Sequence, residues 1–378
     1  MAAAASLSTW LFAAEHHGQV PAGNFVSTTS AGPRRAALQD WRDTVSPALR
    51  DDALTRGAVR LDPPGVEELP TLDQTPVPCR FIREEPSGTS AKFSCVLEGG
   101  QIIKVKYGRN PEIQAEAAGT RLLSALGYAA DDVTIVPRVR CYGCPRFPFI
   151  TMQILSLARA TSVLGANGHD DGYTDFEWPA IERKFPAPSI ETATQQGWSW
   201  WELKASQAPR ADLDAFRLLA VFLAHWDNKA SNQRLVCLDQ GRRVQKDPAY
   251  EAAQQPCARP LLMIQDLGAT FGPEKVNLAR WRDIPVWADR RTCTVSMHSL
   301  PYLGATFTDV QISEAGRVEL ARQLSALDEG DIRTLFADAR FPQFYSGTDD
   351  TRDLDAWTAA FQARVAEIMT AGPCRSSS

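Results

Sequence analysis

The residues in this sequence that are best suited to chemistry lie just after an apolar run, in the stretch HWDNKASN at positions 225–232. Asp227 and Asn232 stand five positions apart, and Lys229 follows Asp227 by two. A carboxylate can orient a hydroxyl group and accept its proton, and an ammonium group can neutralise the charge of a phosphate. Phosphoryl transfer depends mainly on such positioning and charge neutralisation, so these residue types point to that reaction.

A second candidate is Asp266, which follows the apolar run in LLMIQDLG. Asp266 and Asn232 together offer oxygen ligands to a hard cation, so the pair predicts a Mg²⁺ or Mn²⁺ site. Either pattern alone is common, and the alternative interpretation is that His225 to Asp227 form the polar end of an ordinary helix. Both patterns in this order, each after an apolar run, favour phosphoryl transfer.

The two patterns resemble motifs of the protein-kinase-like superfamily. The loop at 225–232 is similar to the catalytic loop, where H-x-D is followed by a lysine and an asparagine, and the D-L-G at Asp266 is similar to the metal-binding D-F-G. The resemblance implies an α+β, two-lobed kinase-like fold, with a small β-rich N-lobe, a larger mainly helical C-lobe, and ATP with Mg²⁺ between them. It implies that Asp227 and Lys229 are catalytic and that Asn232 and Asp266 bind the metal. It identifies no narrower family.

Upstream, residues 79–108 contain three apolar stretches separated by a Gly/Ser-containing and a Gly-Gly segment, which predicts three strands joined by two turns. In a kinase-like N-lobe the first turn would lie over the ATP phosphates, where small residues let backbone N–H groups approach an anion. The candidate nucleotide-binding residues of this turn are Ser87, Gly88, Thr89, Ser90 and Lys92. The turn lacks the G-x-G-x-x-G pattern, and a plain hairpin turn is the alternative.

The third predicted strand carries Lys104 and Lys106, which are two apart and therefore share a face. The resemblance implies that one of them holds the α- and β-phosphates of ATP. Lys104 is preferred because Ile102, Ile103 and Val105 surround it with residues typical of a buried strand, whereas Lys106 stands at the strand end. A solvated strand edge is the alternative for both.

A helix is predicted from Pro111 to Gly127, because proline opens it, acids follow and glycine closes it. Glu112 and Glu116 lie on its flank, and the resemblance implies that one of them pairs with the strand lysine. Glu116 is preferred because its distance from Gly127 suits the E…LL..LG pattern of bacterial toxin-type kinases. Acids in a first turn also stabilise the helix dipole without any catalytic role.

The chain divides into three predicted segments. Residues 1–60 contain no lysine and are rich in alanine and small polar residues, which predicts a flexible leader or the remnant of a targeting segment. Residues 61–155 form the predicted N-lobe, ending in an apolar strand at 147–155 that leads into the lobe connection near residues 152–155. Residues 156–372 form the predicted C-lobe.

Composition sets outer limits on function. The chain has 378 residues, of which 44% are hydrophobic and 22% charged, as in soluble globular proteins. A formal net charge of −5 argues against a nucleic-acid partner. No apolar run reaches the length of a transmembrane helix. The expected partners are therefore ATP and a phosphate acceptor, either a protein or a small molecule.

The eight cysteines leave the compartment open. The single C-x-x-C, Cys141 and Cys144, is weak evidence for zinc, which usually needs two such pairs. Cys237 and Cys257 lie in the 34-residue interval between Asn232 and Asp266, and we predict that they bridge across an inserted loop. The protein is expected in the cytoplasm or, if this bridge forms, in an exported or periplasmic setting.

Three functions remain open from the sequence. The first is a kinase that transfers the γ-phosphate of ATP to an alcohol acceptor. The second is a pseudokinase that binds nucleotide or partners without turnover, against which the intact Asp227, Asn232 and Asp266 argue. The third is nucleotidyl transfer on the same scaffold, which no residue excludes.

Overall fold

The computed structural model describes residues 45–61, 72, 74–86, 88–158, 172–192, 194–240, 256–273, 275–295, 297, 307, 309–343 and 349–375. Contacts divide these residues into two compact units. The first lies within Leu69–Ile113 and Asp132–Lys184, and the second within Gln39–Glu68, Gln114–Asp131 and Phe185–Ser378. The fold is α+β, as predicted.

The described helices are α1 (Pro47–Arg56), α2 (Pro111–Ala125), α3 (Pro148–Leu157), α4 (Arg210–Phe222), α5 (Leu278–Asp283), α6 (Glu314–Leu324), α7 (Glu329–Asp338) and α8 (Leu354–Met369). The described strands are β1 (Val77–Ile82), β2 (Lys92–Leu97), β3 (Ile102–Lys106), β4 (Asp132–Ile135), β5 (Arg138–Tyr142), β6 (Tyr173–Glu177), β7 (Ala180–Arg183), β8 (Gln233–Cys237), β9 (Pro260–Ile264), β10 (Trp287–Asp289), β11 (Thr294–Val295) and β12 (Val310–Gln311). None of the described helices is both long and apolar enough to cross a membrane.

The first unit is built on a seven-stranded sheet with the order β4-β7-β3-β2-β1-β5-β6. Strands β1, β2 and β3 form the antiparallel meander that the sequence predicts. Strand β5 pairs parallel to β1, and β7 pairs antiparallel to β3. In that last register Lys104 stands directly opposite Glu182.

The two faces of this sheet differ in chemistry, because successive side chains of a strand point to opposite faces. One face is an apolar core that includes Cys79, Phe93, Cys95, Val105 and Ile181. Burying a large apolar side chain contributes roughly 1.5–3 kcal/mol, so this face holds the sheet together. Alternation places Lys104, Lys106 and Glu182 on the opposite face.

Helix α2 agrees closely with its prediction. It begins at Pro111, and Gly127, with φ of +79°, follows its end. The Asn110 side chain accepts the N–H of Glu112 at 3.1 Å, which satisfies a donor that the first turn leaves unpaired. The boundary between the two units falls inside this helix, after Ile113.

The apolar stretch at 147–155 belongs to helix α3, so the strand prediction is wrong there. Pro148 occupies the first turn, where its fixed φ and missing N–H favour a helix start. The Phe149 N–H donates to the Tyr107 hydroxyl at 3.2 Å instead of to a neighbouring strand. The chain leaves the first unit for the last time after Lys184, not near residues 152–155.

The second unit contains the long helices of the C-terminal half, as predicted. Helix α4 packs on α6, and an added Cβ on Gly316 would lie 2.4 Å from Asp214 Cβ, so the contact requires glycine. Asp214 is buried and accepts the N–H of Ser313 at 2.9 Å. It also pairs with Arg217 at 3.2 Å, which compensates the cost of burying its charge.

Part of the predicted leader is folded. Helix α1 begins after Ser46, whose side chain accepts the Leu49 N–H, and it belongs to the second unit. Its Arg50 is fully buried and pairs with Glu202 at 3.1 Å. Residues 47–56 are therefore part of the structure, while residues 1–44 lie outside the part that is described.

All eight cysteines form disulfide bonds. Cys237–Cys257 confirms the predicted bridge, and Cys79–Cys95, Cys141–Cys144 and Cys293–Cys374 are the others. The C-x-x-C cysteines thus bond to each other.

Candidate active site

The candidate catalytic loop begins where α4 ends. The last carbonyl of that helix, on Phe222, accepts hydrogen bonds from Trp281 Nε1 at 2.9 Å and Arg364 Nε at 3.1 Å. Burial lowers the pKa of Arg364 to about 10, which still leaves it charged at neutral pH. Ala224 then takes a positive φ of 55°, which turns the chain out of the helix. The buried side chains of Trp281 and Arg364 therefore fix the backbone just before the loop.

Asp227 and Lys229 form an ion pair within this loop. Lys229 Nζ lies 2.7 Å from Asp227 Oδ1 and 3.0 Å from Oδ2. Both groups retain solvent access, with 47% of the lysine side chain and 23% of the aspartate side chain exposed. The pair that the sequence predicts as catalytic is thus in contact, and it is accessible to a reactant.

Asn232 joins the loop to the second predicted aspartate. Its Nδ2 donates to the Asp227 carbonyl at 2.7 Å, and its own carbonyl accepts the N–H of Gln265 at 3.0 Å and of Asp266 at 3.4 Å. Strands β8 and β9 make this possible, because Gln233 pairs with Ile264 in their antiparallel register. Three residues spread over 40 positions of sequence are brought together.

The donor set fits a hard divalent cation. The side-chain nitrogen of Asn232 donates a hydrogen bond to the Asp227 carbonyl. The side-chain oxygen of Asn232 is therefore the atom that can act as a metal ligand. The Asp266 side chain is exposed, and its Oδ1 accepts the Gly268 N–H at 3.3 Å, which orients the carboxylate. A carboxylate oxygen and a carboxamide oxygen are what Mg²⁺ and Mn²⁺ prefer.

His225 is fully buried below the loop. Burial lowers its pKa to about 4, although the negative charges of Asp266 and Asp227 act in the opposite direction. The imidazole is therefore neutral near pH 7, and it serves the loop as a packed core group rather than as an acid or base. The Asn228 side chain donates to the His225 carbonyl at 2.8 Å and tightens the turn.

Gly197 packs against the backbone of the loop, a contact that the sequence did not reveal. Its φ is +61°, and an added Cβ would lie 1.9 Å from the Ala230 carbonyl oxygen and 2.3 Å from that of Gln233. Arg50 donates to the Gly197 carbonyl at 2.7 Å. Trp198, the next residue, donates to the Arg234 carbonyl at 3.0 Å. The sequence feature that could have indicated this contact is the position of Gly197 directly before the tryptophan cluster.

Helix α2 packs against the D-L-G segment at a second glycine, Gly119. An added Cβ on Gly119 would lie 3.0 Å from Leu267 Cβ, so the helix packs directly beside the residue after Asp266. Glu116 lies one turn earlier on α2 and is buried. It belongs to the second unit.

In the first unit the predicted phosphate-binding lysines share the carboxylate of Glu182. Glu182 lies 2.9 Å from Lys104, 3.1 Å from Lys106 and 2.5 Å from Lys184. The structure therefore pairs Lys104 with Glu182, a partner that the sequence analysis did not name, and the pairing of a strand lysine with Glu116 stays a prediction. The sequence could not reveal this partner, because it depends on the register of β3 and β7.

The burial of the two lysines is the reverse of what the sequence predicts. The side chain of Lys106 is only 11% exposed, whereas that of Lys104 is 31% exposed. Position at the end of a strand does not expose Lys106, because β7 and Glu182 lie beside it.

Glu182 is charged despite its burial. Burial by itself raises its pKa, but the ammonium groups of Lys184, Lys104 and Lys106 outweigh that effect and hold the pKa well below its usual range. The Glu182 carboxylate is therefore a charged partner of all three lysines.

The predicted nucleotide-binding turn connects β1 and β2. Gly88 has a positive φ of 76°, and both Gly88 and Thr89 are exposed. An added Cβ on Gly88 would lie 3.1 Å from Lys92 Nζ, so this lysine reaches the turn. The Ser90 hydroxyl is hydrogen-bonded to the Glu112 carboxylate instead of being directed at the turn. Ser87 lies outside the described residues.

Two other clusters of metal-ligand type occur among the described residues. They are Cys237, Asp239 and Cys257, and Cys293, Glu314 and Cys374. In each the two sulfur atoms are joined in a disulfide bond, so neither cluster offers the thiolates that a zinc site needs.

Two kinases of low similarity are among the solved structures that match this chain. A proinflammatory kinase of Helicobacter pylori, CtkA, matches with a TM-score of 0.41 and 8% identity, over 78% of this chain and 94% of the kinase. The Golgi casein kinase matches with a TM-score of 0.36 and 10% identity, over 92% of this chain and 81% of that one. No family model matches the chain, and no curated protein does. Similarity this low assigns neither family nor activity.

Proposed function

We propose that this chain is an ATP-dependent phosphotransferase of the atypical kinase type, which transfers the γ-phosphate to a hydroxyl group of a protein or small molecule. The observation that carries the proposal is the hydrogen-bonded arrangement of Asp227, Asn232 and Asp266, with Lys229 paired to Asp227. It combines a proton acceptor, a cation and two oxygen ligands within one unit, which are the groups that phosphoryl transfer requires.

Each residue has a role in this reaction. Asp227 orients the acceptor hydroxyl and takes its proton as the new O–P bond forms and the bond from the γ-phosphorus to the bridging oxygen breaks, releasing ADP. Lys229 neutralises charge on the phosphoryl group during transfer. Lys104 and Lys106 attract the phosphates of ATP. Asn232 and Asp266 would hold Mg²⁺ or Mn²⁺, which would neutralise charge on the phosphate oxygens.

Labelled ATP separates this function from its alternatives. The purified chain is incubated with Mg²⁺, a mixture of candidate acceptors and ATP labelled at the γ- or, separately, the α-phosphate. Transfer of the γ-label alone supports the kinase. Transfer of the α-label indicates nucleotidyl transfer, and no transfer combined with tight ATP binding indicates a pseudokinase.

The disulfide bonds suggest where this reaction takes place. Four disulfide bonds that include every cysteine are typical of proteins from oxidising compartments. We therefore propose that the protein acts outside a reducing cytoplasm. Mass-spectrometric mapping of protein from its native source, with free thiols blocked at lysis, tests this: free thiols at Cys237 and Cys257 would contradict it.

A further inference from the structure

Helix α1 is linked to the candidate catalytic loop through residues 195–202, here called the Gly197 segment. Arg50 of α1 is fully buried, and its Nη2 donates to the Gly197 carbonyl at 2.7 Å. Its Nη1 lies 3.1 Å from Glu202 Oε1. A guanidinium group is a planar fork with five donors, so one arginine can bind a carbonyl and a carboxylate at the same time. Arg50 therefore fixes one side of the Gly197 segment.

Glu202 closes the Gly197 segment on itself. Its Oε2 accepts the Ser199 N–H at 2.6 Å, and its Oε1 accepts a hydrogen bond from Gln195 Nε2 at 2.9 Å. The Glu202 side chain is only 8% exposed, so its charge needs a partner, and Arg50 supplies it. Arg50 and the Gly197 segment therefore form one hydrogen-bonded group.

The other side of the Gly197 segment packs against the candidate catalytic loop. An added Cβ on Gly197 would lie 1.9 Å from the Ala230 carbonyl oxygen and 2.3 Å from that of Gln233. These two carbonyls lie on either side of Asn232 in the sequence, and Asn232 binds the Asp227 carbonyl. The position of Gly197 thus limits where the backbone around the candidate metal ligand can lie.

The chain that leaves α1 also binds the strand that leads to Asp266. The Leu262 N–H donates to the Ala58 carbonyl at 2.8 Å, and the Ala58 N–H donates to the Pro260 carbonyl at 3.0 Å. Both partners lie in β9, which ends two residues before Asp266. Residues 46–58 therefore contact the support of the loop and the strand of the second candidate ligand, all within the second unit.

We propose that Arg50 is a positioning residue of the candidate active site, which acts through the Gly197 segment on the backbone between Asp227 and Asn232. A helix that precedes the first unit in sequence, in a stretch predicted as a leader, is then part of the catalytic machinery. The inference rests on the proposed function, because it names a group that positions the loop of that same site.

Positioning of the loop and simple stabilisation of the second unit differ in where the structure loosens without Arg50. If Arg50 only stabilises the unit, its loss lowers the protection of backbone amides from hydrogen exchange throughout that unit. If it positions the loop, the loss of protection is concentrated at residues 228–233. Hydrogen exchange measures such local opening directly.

The test compares Arg50→Met with the parent in the full chain, by hydrogen exchange read out by mass spectrometry. We expect protection at residues 228–233 to fall by about tenfold or more, the usual weight of a hydrogen bond from a charged group, and protection of α8 to stay unchanged. Transfer of the γ-label at saturating ATP and Mg²⁺ should fall by about tenfold or more, because a displaced loop misaligns the reacting groups.

Arg56→Met is the matched control. It removes an arginine from the same helix, whose hydrogen bonds go to Asp52 and to the Cys257 carbonyl. It should leave both the protection at residues 228–233 and the transfer rate as in the parent. A second variant, Arg50→Met with Glu202→Gln, avoids a buried charge without a partner and keeps an oxygen for the Ser199 N–H.

The outcomes separate this inference from the proposed function. Parent-like protection at residues 228–233 in folded Arg50→Met, or in the double variant if the single one does not fold, overturns the positioning role. An equal loss of protection throughout the second unit, or unfolding of both variants, overturns it as well. If the parent transfers no label, the proposed function fails, whereas hydrogen exchange still decides whether Arg50 holds the loop.

Discussion

The side-chain amide of Asn232 donates a 2.7 Å hydrogen bond to the backbone carbonyl of Asp227. This bond directs the amide nitrogen of the candidate metal ligand inward and ties it to the main chain of the candidate base. The bond therefore restrains the backbone of Asp227 relative to the side chain of Asn232. Such preorganisation is what positioning catalysis requires.

Replacing Asp227 by asparagine should separate catalysis from folding. Asp227→Asn keeps a similar shape but removes the proton-accepting charge, so turnover should fall by about 10²-fold or more. The thermal midpoint and ATP affinity should stay close to those of the parent, because an accessible ion pair such as Asp227–Lys229 contributes little to stability. Asp283→Asn, which alters an exposed aspartate paired with Arg282, is the control. Full phosphoryl transfer by folded Asp227→Asn would show that the active site lies elsewhere.

Metal dependence should be lost when Asp266 is changed. ATP affinity of the parent, measured by calorimetry with and without Mg²⁺, should be tighter with the metal. Asp266→Asn should remove that difference, since a neutral carboxamide is a much weaker ligand for a hard cation than a carboxylate. The fold should tolerate the change, because Asp266 is exposed and asparagine can still accept the Gly268 N–H. An ATP affinity that is indifferent to metal in the parent would refute the assignment.

A methyl group at Gly197 should displace the backbone of the candidate catalytic loop. Gly197→Ala forces a left-handed φ on a non-glycine residue and drives its Cβ into the Ala230 carbonyl, so the free energy of unfolding should fall by at least about 1–3 kcal/mol. Turnover should fall with it, because the displaced residues are those between Asp227 and Asn232. Gly99→Ala is the matched control: no atom lies within 4 Å of its added Cβ. Equal stability of the two variants, by chemical denaturation, would contradict the contact.

The contribution of each disulfide bond to the free energy of unfolding should increase with the number of residues in the loop that it closes. Cys293–Cys374 closes 81 residues, Cys237–Cys257 closes 20 and Cys141–Cys144 closes three. Chain entropy assigns about 4.5, 3 and 1.5 kcal/mol to them in that order. Replacing each pair by serines and measuring the free energy of unfolding in guanidinium checks the ranking. A reversed order would mean that native-state packing, rather than loop closure, dominates.

Much of the candidate site followed from local sequence. The spacing of Asp227, Lys229 and Asn232 after an apolar helix, and Asp266 after an apolar strand, is a local property of the chain. Antiparallel pairing of two adjacent apolar strands then brings their ends together, which is why the backbones of Asn232 and Asp266 are in contact. The meander of β1 to β3 and helix α2 were predictable for the same reason.

Other features needed the tertiary structure. The apolar run at 147–155 has no periodicity that separates helix from strand, and its helical state depends on what surrounds it. Eight cysteines allow 105 complete pairings, so three of the four disulfide bonds could not be inferred. Lys106 is more buried than Lys104, the reverse of the prediction, because their burial depends on strand β7, which lies more than 70 residues further along the chain.

The sequence by itself determined which residue types follow each apolar run, and therefore the kind of chemistry that we propose for this chain. Only the tertiary structure decided that Glu182 pairs with Lys104, and that Gly197 packs against the candidate catalytic loop. The physical reason is the same in both cases. Ion pairs across a sheet and close backbone contacts depend on register and on distances between remote segments, and no local pattern in the sequence encodes these distances.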